Sequence, residues 1–380
     1  MPKKKAAAEP VAGPTTESLV DAIYKEMNEK YGAGHMVDGD EYISRPQMLI
    51  PMSPVFDVLT SGGIQEGSFV GFAGKEKTGK TTSILSFAAR CQRPEYGSRP
   101  IFYGKVEGRL SRKHTSEIEG LITKRPHFNI LQSEEGRILS AQDHLTEYLN
   151  IVKTVPGAVI IIDSISALTD QKEIEAGVGS ESRGGGAKLF TQFVRLAKDI
   201  VPVNRSIVIG VSQMMANVTG QGKKWLEKGS LYWRYQCDYL FCSTYAKPWT
   251  ATNNKQIGLQ TEWSCTNTPT GSPGKKMSGF IRFGTGIDNI YELLSMGQMC
   301  GLIQGKTWYY LSYLKLHRPE FADQEKPNDS VPKAQGGEGV YRLLKNNPEY
   351  AELLRLEILK ILADPDCAIG YQKQDECCRE

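Results

Sequence analysis

Long apolar runs are missing from this 380-residue sequence, and the longest ones, such as AVIIID at 158–163, have only the length of a strand. A membrane-spanning helix needs roughly 18 or more apolar residues, so none is predicted. The first residues, MPKKKAAAEP, carry three lysines without the apolar segment of a secretory signal. An excess of one charge is missing too, because 46 Lys and Arg residues face 43 Asp and Glu residues. Any nucleic-acid-binding surface must therefore be a local concentration of positive charge.

Cysteine pairs with the spacing of a metal site are also missing. The eight cysteines are scattered, with four residues between Cys237 and Cys242 and none between Cys377 and Cys378. This pattern favours free thiols in a reducing cytoplasm over a zinc site. Apolar residues make up 40% and charged residues 23% of the chain, which excludes low-complexity and collagen-like classes. The length predicts two domains and a small third segment.

The N-terminal part divides into a tail and a helix. Residues 1–17, rich in Lys, Ala, Pro and Thr, are predicted to be a disordered tail. The next segment, 18–50, is predicted to form a helix followed by an extended connector. On that helix an apolar stripe recurs at four-residue steps, formed by Leu19, Ile23, Met27 and Tyr31. The stripe is too narrow to build a core of its own, so we expect it to dock on another surface.

Short apolar runs alternate with helical patterns over residues 51–288. The predicted strands are 67–74, 100–107, 158–164 and 206–213, and the predicted helices are 80–92 and 187–201. The second helix is predicted to carry Leu189, Phe193, Leu196 and Ile200 on one side. This alternation predicts an α/β fold with a mostly parallel, twisted sheet covered on both faces. Residues 289–380 read as a small helical or α+β domain.

The strongest motif is GKEKTGKTT, which matches G-x-x-x-x-G-K-[ST] between a predicted strand and a predicted helix. Its residues are predicted to bind the phosphates of ATP: Gly74, Lys75, Glu76, Lys77, Thr78, Gly79, Lys80, Thr81 and Thr82. Backbone N–H groups and the start of the helix favour the negative charge of the phosphates. Lys80 is predicted to neutralise the β- and γ-phosphates and Thr81 to ligate Mg²⁺. The alternative is a chance match on a glycine turn.

Three strand ends supply the other polar groups that ATP hydrolysis needs. Asp163 ends an apolar run in the manner of a Walker B strand and is predicted to hold or orient Mg²⁺. Glu107 is the candidate that orients or deprotonates water, and Gln213 is placed to contact the γ-phosphate. For each of them the alternative is an ordinary polar residue at the end of a strand.

These residues, together with the segment DSISALTDQKEIEAGVGSESRGGGAK, resemble the RecA-type DNA strand-exchange recombinases of bacteria and phages. Similar segments follow in the family's order over most of residues 19–362, including EKYGAGHMVDGDE, MSPVFDVLTSGGIQEGSFVGFAG and YRLLKNNPEYAELL. The resemblance implies a P-loop RecA-like core, an N-terminal polymerisation helix and a small C-terminal domain. It also implies a helical filament on single-stranded DNA, with ATP between protomers, that pairs with homologous double-stranded DNA, exchanges strands and hydrolyses ATP.

The same resemblance implies catalytic roles for Glu107, Lys80 and Gln213, and places two DNA-binding loops at 175–186 and 214–230. The residues implied in DNA binding are Arg183, Gly184, Gly185, Lys188, Arg195, Met215, Asn217, Lys223 and Lys224. Helical periodicity puts Lys188, Gln192 and Arg195 on one face. In the second loop, Lys223 and Lys224 stand beside Trp225, a combination of cation and aromatic ring that suits single strands. A solvated helix face is the alternative for each basic residue.

The sequence departs from the family at several positions. Bacterial members carry two lysines on a late strand that reach the neighbouring protomer's ATP, whereas this chain reads TEWSCTNTP at 261–269; Lys275 and Lys276 could replace them. Near the adenine, Ser111 and His114 stand where the family often has Asp and Tyr, and Phe283 keeps an aromatic position. The long acidic C-terminal tail of many members is also missing. These departures favour a phage protein or an otherwise distant member.

Three other functions remain open at this stage. An ATP-binding filament that coats DNA but exchanges strands poorly would share every motif above. A hexameric helicase would share the ATPase core but not the polymerisation helix joined to this C-terminal segment. A small-molecule P-loop kinase would need a lid and an acceptor site, and the sequence shows neither pattern.

Overall fold

The computed structural model describes residues 15–107, 110, 115–176, 185–217, 225–228, 231–251, 254–321 and 331–363. The chain divides into two compact units, Met1–Gln47 and Met48–Glu380. Most of the predicted tail, 1–17, lies outside the described residues. Among the described residues, no helix combines the length and the apolar character needed to cross a membrane.

The helices and strands alternate along the chain as the sequence predicts. The α-helices are α1 Thr16–Tyr31, α2 Gly39–Ile43, α3 Pro54–Thr60, α4 Lys80–Cys91, α5 Ala141–Thr154, α6 Gln171–Ala176, α7 Gly185–Ala197, α8 Ile200–Val203, α9 Leu231–Gln236, α10 Asn289–Met299, α11 Gly336–Asn346 and α12 Pro348–Ala363. The strands are β1 Leu49–Ile50, β2 Ile64–Gln65, β3 Phe69–Gly74, β4 Ile101–Lys105, β5 Phe128–Leu131, β6 Val159–Asp163, β7 Ile207–Ala216, β8 Trp225–Lys228, β9 Tyr239–Thr250, β10 Gln256–Asn267, β11 Lys276–Arg282, β12 Gly286–Ile287, β13 Gln304–Gly305, β14 Trp308–Tyr310 and β15 Lys333–Gln335.

The N-terminal unit is built on α1. The helix begins after Thr15, whose side-chain oxygen accepts a hydrogen bond from the backbone N–H of Ser18 at 3.3 Å. It buries none of its residues. The predicted stripe is confirmed as one face of a helix, and Leu19, Ile23 and Met27 are 51%, 53% and 37% exposed. The apolar face of α1 is therefore exposed to solvent.

The main sheet has ten strands in the order β12-β11-β10-β9-β3-β7-β6-β4-β5, with β8 paired to β7. The pairs from β9 to β5 are parallel, and β10, β11, β12 and β8 are antiparallel additions. The mostly parallel α/β fold is thus confirmed. A two-stranded sheet joins β1 and β2, and a small antiparallel sheet joins β13, β14 and β15 in the C-terminal part.

Both faces of the sheet are buried, which explains the unbroken apolar runs. In β6, Val159 and Ile161 face one apolar cluster, whereas Ile160 and Ile162 face the other, and all four are fully buried. The first cluster contains residues of α4 together with those of α10, α11 and α12. The second contains residues of α5 and α7. The C-terminal helices therefore share a core with one face of the sheet.

The apolar side predicted for the helix over 187–201 coincides only partly with the buried face of α7. The buried residues of α7 include Phe190, Val194 and Ala197 in addition to Phe193, whereas Leu196 is 53% exposed. The helix also ends at Ala197, before the predicted Ile200. Both stripes fit helical periodicity, so periodicity could not choose between them. The choice is made by aromatic packing, because Phe190 lies edge-on to Trp233 of α9 at 5.2 Å.

Parallel register brings the polar strand ends to one edge of the sheet. Gly74 at the end of β3 is opposite Gln213 of β7, and Lys105 at the end of β4 is opposite Asp163 of β6. Glu107 follows β4 by two residues, and its backbone N–H donates to the carbonyl of Asp163 at 2.9 Å. The carboxyl edge of the sheet thus collects the residues that the sequence singles out.

Candidate active site

The phosphate loop between β3 and α4 rests on the antiparallel strands. The backbone N–H of Lys75 donates to the carbonyl of Ser243 at 3.1 Å, and the Thr261 hydroxyl donates to the carbonyl of Thr78 at 3.1 Å. Gly79 precedes α4 with φ of +86°, and a Cβ on it would lie 2.1 Å from Ile281 Cδ1. The loop is therefore held from below by β9, β10 and β11, which leaves its upper side open.

Lys80 is almost buried, and the loop itself holds its ammonium group. Its Nζ donates to the carbonyl oxygens of Gly74 at 3.0 Å and of Lys75 at 2.6 Å. Burial lowers the pKa of Lys80 below its ordinary value, against the opposing effect of Asp163, Glu76 and Glu107. Neutral carbonyls are weaker partners than an anion for this group, so a phosphate oxygen would compete well for it.

Asp163 stands at the centre of a small hydrogen-bond cluster. Its Oδ2 accepts from the hydroxyl of Thr81 at 2.9 Å and from the hydroxyl of Tyr103 at 2.8 Å. Burial raises the pKa of Asp163, while both hydroxyl donors and Lys80 oppose that shift. Burial and the neighbouring carboxyl also raise the pKa of Tyr103, so its hydroxyl keeps its proton and remains a donor. The Thr81 and Asp163 oxygens together form the kind of hard donor set that suits Mg²⁺.

Glu107 and Gln213 meet at the same edge of the sheet. Gln213 Nε2 donates to Glu107 Oε1 at 2.6 Å, and the hydroxyl of Ser164 donates to Glu107 Oε2. The Ser164 hydroxyl also contacts the Ser166 hydroxyl at 2.9 Å. This arrangement fixes an exposed carboxylate beside the Walker B strand, where it can accept a hydrogen bond from a water molecule.

A cavity of about 640 Å³ joins these groups, a size typical of sites for ligands such as nucleotides. Glu76, Lys77, Gly79, Lys80, Thr81 and Thr82 line it together with Tyr103, Glu107, Asp163 and Gln213. Gly74, Lys75 and Thr78, which belong to the same predicted set, are not among the residues that line the cavity. An apolar wall is formed by Leu85, Leu110, Ile118, Val211, Leu259 and Ile281. Phe283 lies at the wall's rim and is 53% exposed, which suits stacking against a base.

Several predicted positions have a different outcome. Ser111 and His114 lie outside the described residues. Lys275 Nζ donates to the carbonyl of Leu362 in α12, and Lys276 Nζ pairs with Glu262 Oε1 at 3.0 Å. Both lysines are therefore engaged within their own chain.

The predicted DNA-binding residues are only partly described. Arg183, Gly184, Lys223 and Lys224 lie outside the described residues. Gly185 begins α7, and Lys188 and Arg195 are exposed on that helix, as is Gln192 between them. Met215 belongs to β7, and Asn217 follows that strand.

The second predicted loop, 214–230, contains regular structure. β7 continues to Ala216 and pairs with β8 in an antiparallel hairpin, with Gln213 opposite Lys228 and Met214 opposite Glu227. Part of the predicted loop is therefore a pair of strands, because the backbone N–H and C=O groups of β7 find partners in β8, and its assignment to DNA binding stays a prediction. Gln213 thus belongs both to the hydrogen-bonded cluster around Glu107 and to the base of this hairpin.

Sequence reasoning missed the groups that support the cluster from other strands. Tyr103 is four residues before Glu107 within the predicted strand 100–107, so strand alternation could have placed it at the site, although β4 itself ends at Lys105. Ser164 follows Asp163 directly in the sequence, so its place at the site could also have been predicted. Thr261 and Ile281 come from the antiparallel strands, and no local signal connects them with the phosphate loop.

Comparison with known proteins agrees with this geometry. The family model described as the RecA N-terminal domain matches residues 18–221, more than half of the chain. Protein RecA of Thermotoga neapolitana is 27% identical over 353 residues, which cover 90% of this chain and 92% of that protein. Protein RecA of Campylobacter lari is 25% identical over 370 residues, which cover 94% and 97%. On the family match and the phosphate-loop geometry together, the chain belongs to the RecA family.

Proposed function

We propose that this chain is an ATP-dependent DNA recombinase. It forms a helical filament on single-stranded DNA, pairs that strand with a homologous duplex and exchanges strands while hydrolysing ATP. The observation that carries the proposal is the double attachment of Gln213, whose side chain holds Glu107 and whose backbone pairs with β8. Through Gln213, a change from bound ATP to bound ADP can alter the conformation of the segment proposed to bind DNA.

The nucleotide would be ATP with Mg²⁺. The phosphate loop and Lys80 would bind the β- and γ-phosphates, and the apolar wall with Phe283 would receive the base. Thr81 and Asp163 would hold the metal, which neutralises phosphate charge when bound. Glu107 would orient the attacking water and accept its proton. Ser111 and His114 are proposed as further contacts to the base.

Coupling to DNA would follow from the contacts of Gln213. A γ-phosphate offers the Gln213 amide an anionic acceptor, which competes with Glu107 for the same N–H groups. Exchange between these two partners would shift the base of the β7–β8 hairpin, and with it the segment 214–230. Nucleotide state would then change the relative populations of two arrangements of the DNA-binding segment.

The DNA surface would combine α7 with the two segments beyond the strand ends. Lys188 and Arg195 are exposed on one helix face and would contact phosphates. The other proposed contacts are Arg183, Gly184, Gly185, Met215, Asn217, Lys223 and Lys224.

Filament formation would cover the exposed face of α1. Leu19, Ile23 and Met27 form a stripe on a helix that buries none of its residues, and a second copy of the chain is the proposed partner. Replacing Ile23 by Glu would place a charge in that interface at little cost to the folding of one chain. Lys25, which is exposed on the opposite face of α1, provides the matched control as Lys25→Glu.

Electron microscopy with single-stranded DNA and a non-hydrolysable ATP analogue tests the proposal. We expect filaments of the parent chain and of Lys25→Glu, and none of Lys80→Ala or Ile23→Glu. Glu107→Gln should bind ATP and hydrolyse it at least about 100-fold more slowly than the parent. Its filaments should therefore persist in the presence of ATP. A parent chain that stays monomeric and leaves DNA unbound with every nucleotide would contradict the proposal.

A second candidate, a DNA-coating filament with weak exchange activity, is favoured by the lysine contacts. Lys275 is hydrogen-bonded to the carbonyl of Leu362 and Lys276 to Glu262. Each ammonium group would have to give up this partner before it could contact the ATP of a neighbouring protomer. Comparing strand exchange with simple DNA binding at equal filament coverage separates the two functions. Strong coating with negligible exchange would favour this candidate.

A further inference from the structure

Tyr103 donates a hydrogen bond to Asp163 of the proposed metal site. It lies on β4, 60 residues before Asp163, and is only 3% exposed. Its ring stacks on Phe128 of β5 with centroids 6.1 Å apart and an interplanar angle of 23°. This packing fixes the direction of the phenol, so its hydroxyl reaches Asp163 from a rigid support.

The hydroxyl meets one particular oxygen of Asp163. Oδ2 accepts from Tyr103 at 2.8 Å and from Thr81 at 2.9 Å. Within the part of the chain that the structure describes, Oδ1 accepts no side-chain hydrogen bond. Two donors on one oxygen stop the carboxylate from rotating and leave the other oxygen as an acceptor for the water shell of a cation.

We infer that Tyr103 is a positioning residue for the Mg²⁺ site. Its hydroxyl holds the Asp163 carboxylate in the orientation in which Thr81 can ligate the metal and Oδ1 can bind metal-bound water. The inference rests on the proposed ATP and Mg²⁺ site and names the residue that aligns its carboxylate. Without the phenol hydroxyl, Thr81 alone would hold Oδ2, and the nearby charge of Lys80 would be free to draw the carboxylate away.

Tyr103→Phe tests the inference because it removes one hydroxyl and keeps the stacked ring. We expect the Mg²⁺ concentration that half-saturates binding of a fluorescent, non-hydrolysable ATP analogue to rise about tenfold. At saturating Mg²⁺ the nucleotide affinity should return to that of the parent. Mn²⁺ binding in the presence of the analogue, followed by electron paramagnetic resonance, should weaken by a similar factor.

Tyr148→Phe is the matched control. Tyr148 is also fully buried, and its hydroxyl packs against Gly104 from the other face of β4 and contacts His144 Nδ1 at 3.1 Å. This change removes a buried hydroxyl beside the same strand without touching Asp163. Its Mg²⁺ dependence should therefore equal that of the parent.

Each outcome decides one question. If the parent binds the analogue with a clear Mg²⁺ dependence and Tyr103→Phe shows the same dependence, the positioning role is wrong while the proposed function stands. Equal shifts in both Phe variants, or a Tyr103→Phe chain that does not fold, would assign the hydroxyl to stability and also overturn the role. A parent that binds no nucleotide at any Mg²⁺ concentration would instead overturn the proposed function.

Discussion

Replacement of Gly79 by Ala should destabilise the chain for two separable reasons. The residue has φ of +86°, and holding a side chain in that region costs about 1–2 kcal/mol. The new Cβ would also lie 2.1 Å from Ile281 Cδ1 and 3.7 Å from Ile281 Cγ1. Because Cδ1 is the end of a flexible side chain and Ile281 lines the cavity, the clash should cost about 1 kcal/mol, the low end of the range for overpacking. The free energy of unfolding should therefore fall by about 2–3 kcal/mol.

A second substitution separates these two costs. Ile281→Val deletes Cδ1, the atom that would clash, and by itself should cost about 0.5–1.5 kcal/mol. In that background Gly79→Ala should retain only the backbone cost of about 1–2 kcal/mol. The double-mutant cycle should therefore give an interaction energy of about 1 kcal/mol that favours the double variant.

Urea denaturation of the four variants measures the cycle. Equal slopes of the free energy against urea concentration would show that the same surface is exposed on unfolding in each variant. Nucleotide affinity should remain reduced in the double variant, because relief of the clash does not relieve the backbone strain in the phosphate loop. If the two substitutions are additive to within about 0.5 kcal/mol, the packing of Ile281 on the phosphate loop is refuted.

Two further predictions concern charge. Burial raises the pKa of Glu292 to about 8, so the native state keeps a proton that the unfolded state releases, and the free energy of unfolding should fall as pH rises from about 5 to about 8. Glu292→Gln should flatten this dependence in pH-dependent urea denaturation and leave a smaller slope from Asp57, whose pKa burial raises to about 7; an unchanged slope would contradict the assignment. Affinity for single-stranded DNA should fall steeply with salt, and the double change Lys188→Gln and Arg195→Gln should reduce the slope of log K against log salt by about 1.4. Lys153→Gln, at an exposed position near the end of α5, should leave that slope unchanged, and equal slopes in all three proteins would count against the α7 surface.

Features that depend on neighbours in sequence could be predicted. The phosphate loop is recognised because glycines, Lys80 and Thr81 stand at a fixed spacing between a strand and a helix. Asp163 and Gln213 are recognised because an unbroken apolar run must end where the strand leaves the core. The stripe of α1 follows from four-residue steps. In each case the physical cause, backbone geometry or strand and helix periodicity, acts over a few residues.

Features that depend on packing could not be predicted. Two stripes of α7 satisfy helical periodicity, and contact with Trp233 decides that Phe190 rather than Leu196 is buried. The segment after Gln213 has the glycines of a loop, yet part of it gains ladder partners in β8. From the sequence, Lys275 could contact the ATP of a neighbouring protomer, whereas in the structure it donates to a carbonyl of α12.

The sequence by itself thus determined the fold class, the phosphate loop and the strand-end residues of the site, since these follow from local spacing and burial. Only the tertiary structure decided how those residues are supported. Tyr103, Thr261 and Ile281 reach the site from strands far apart in the chain, and strand order alone brings them within hydrogen-bonding or van der Waals distance. Neither the order of strands nor their register is encoded in any short segment, because both result from the packing of the whole sheet between its two helical layers.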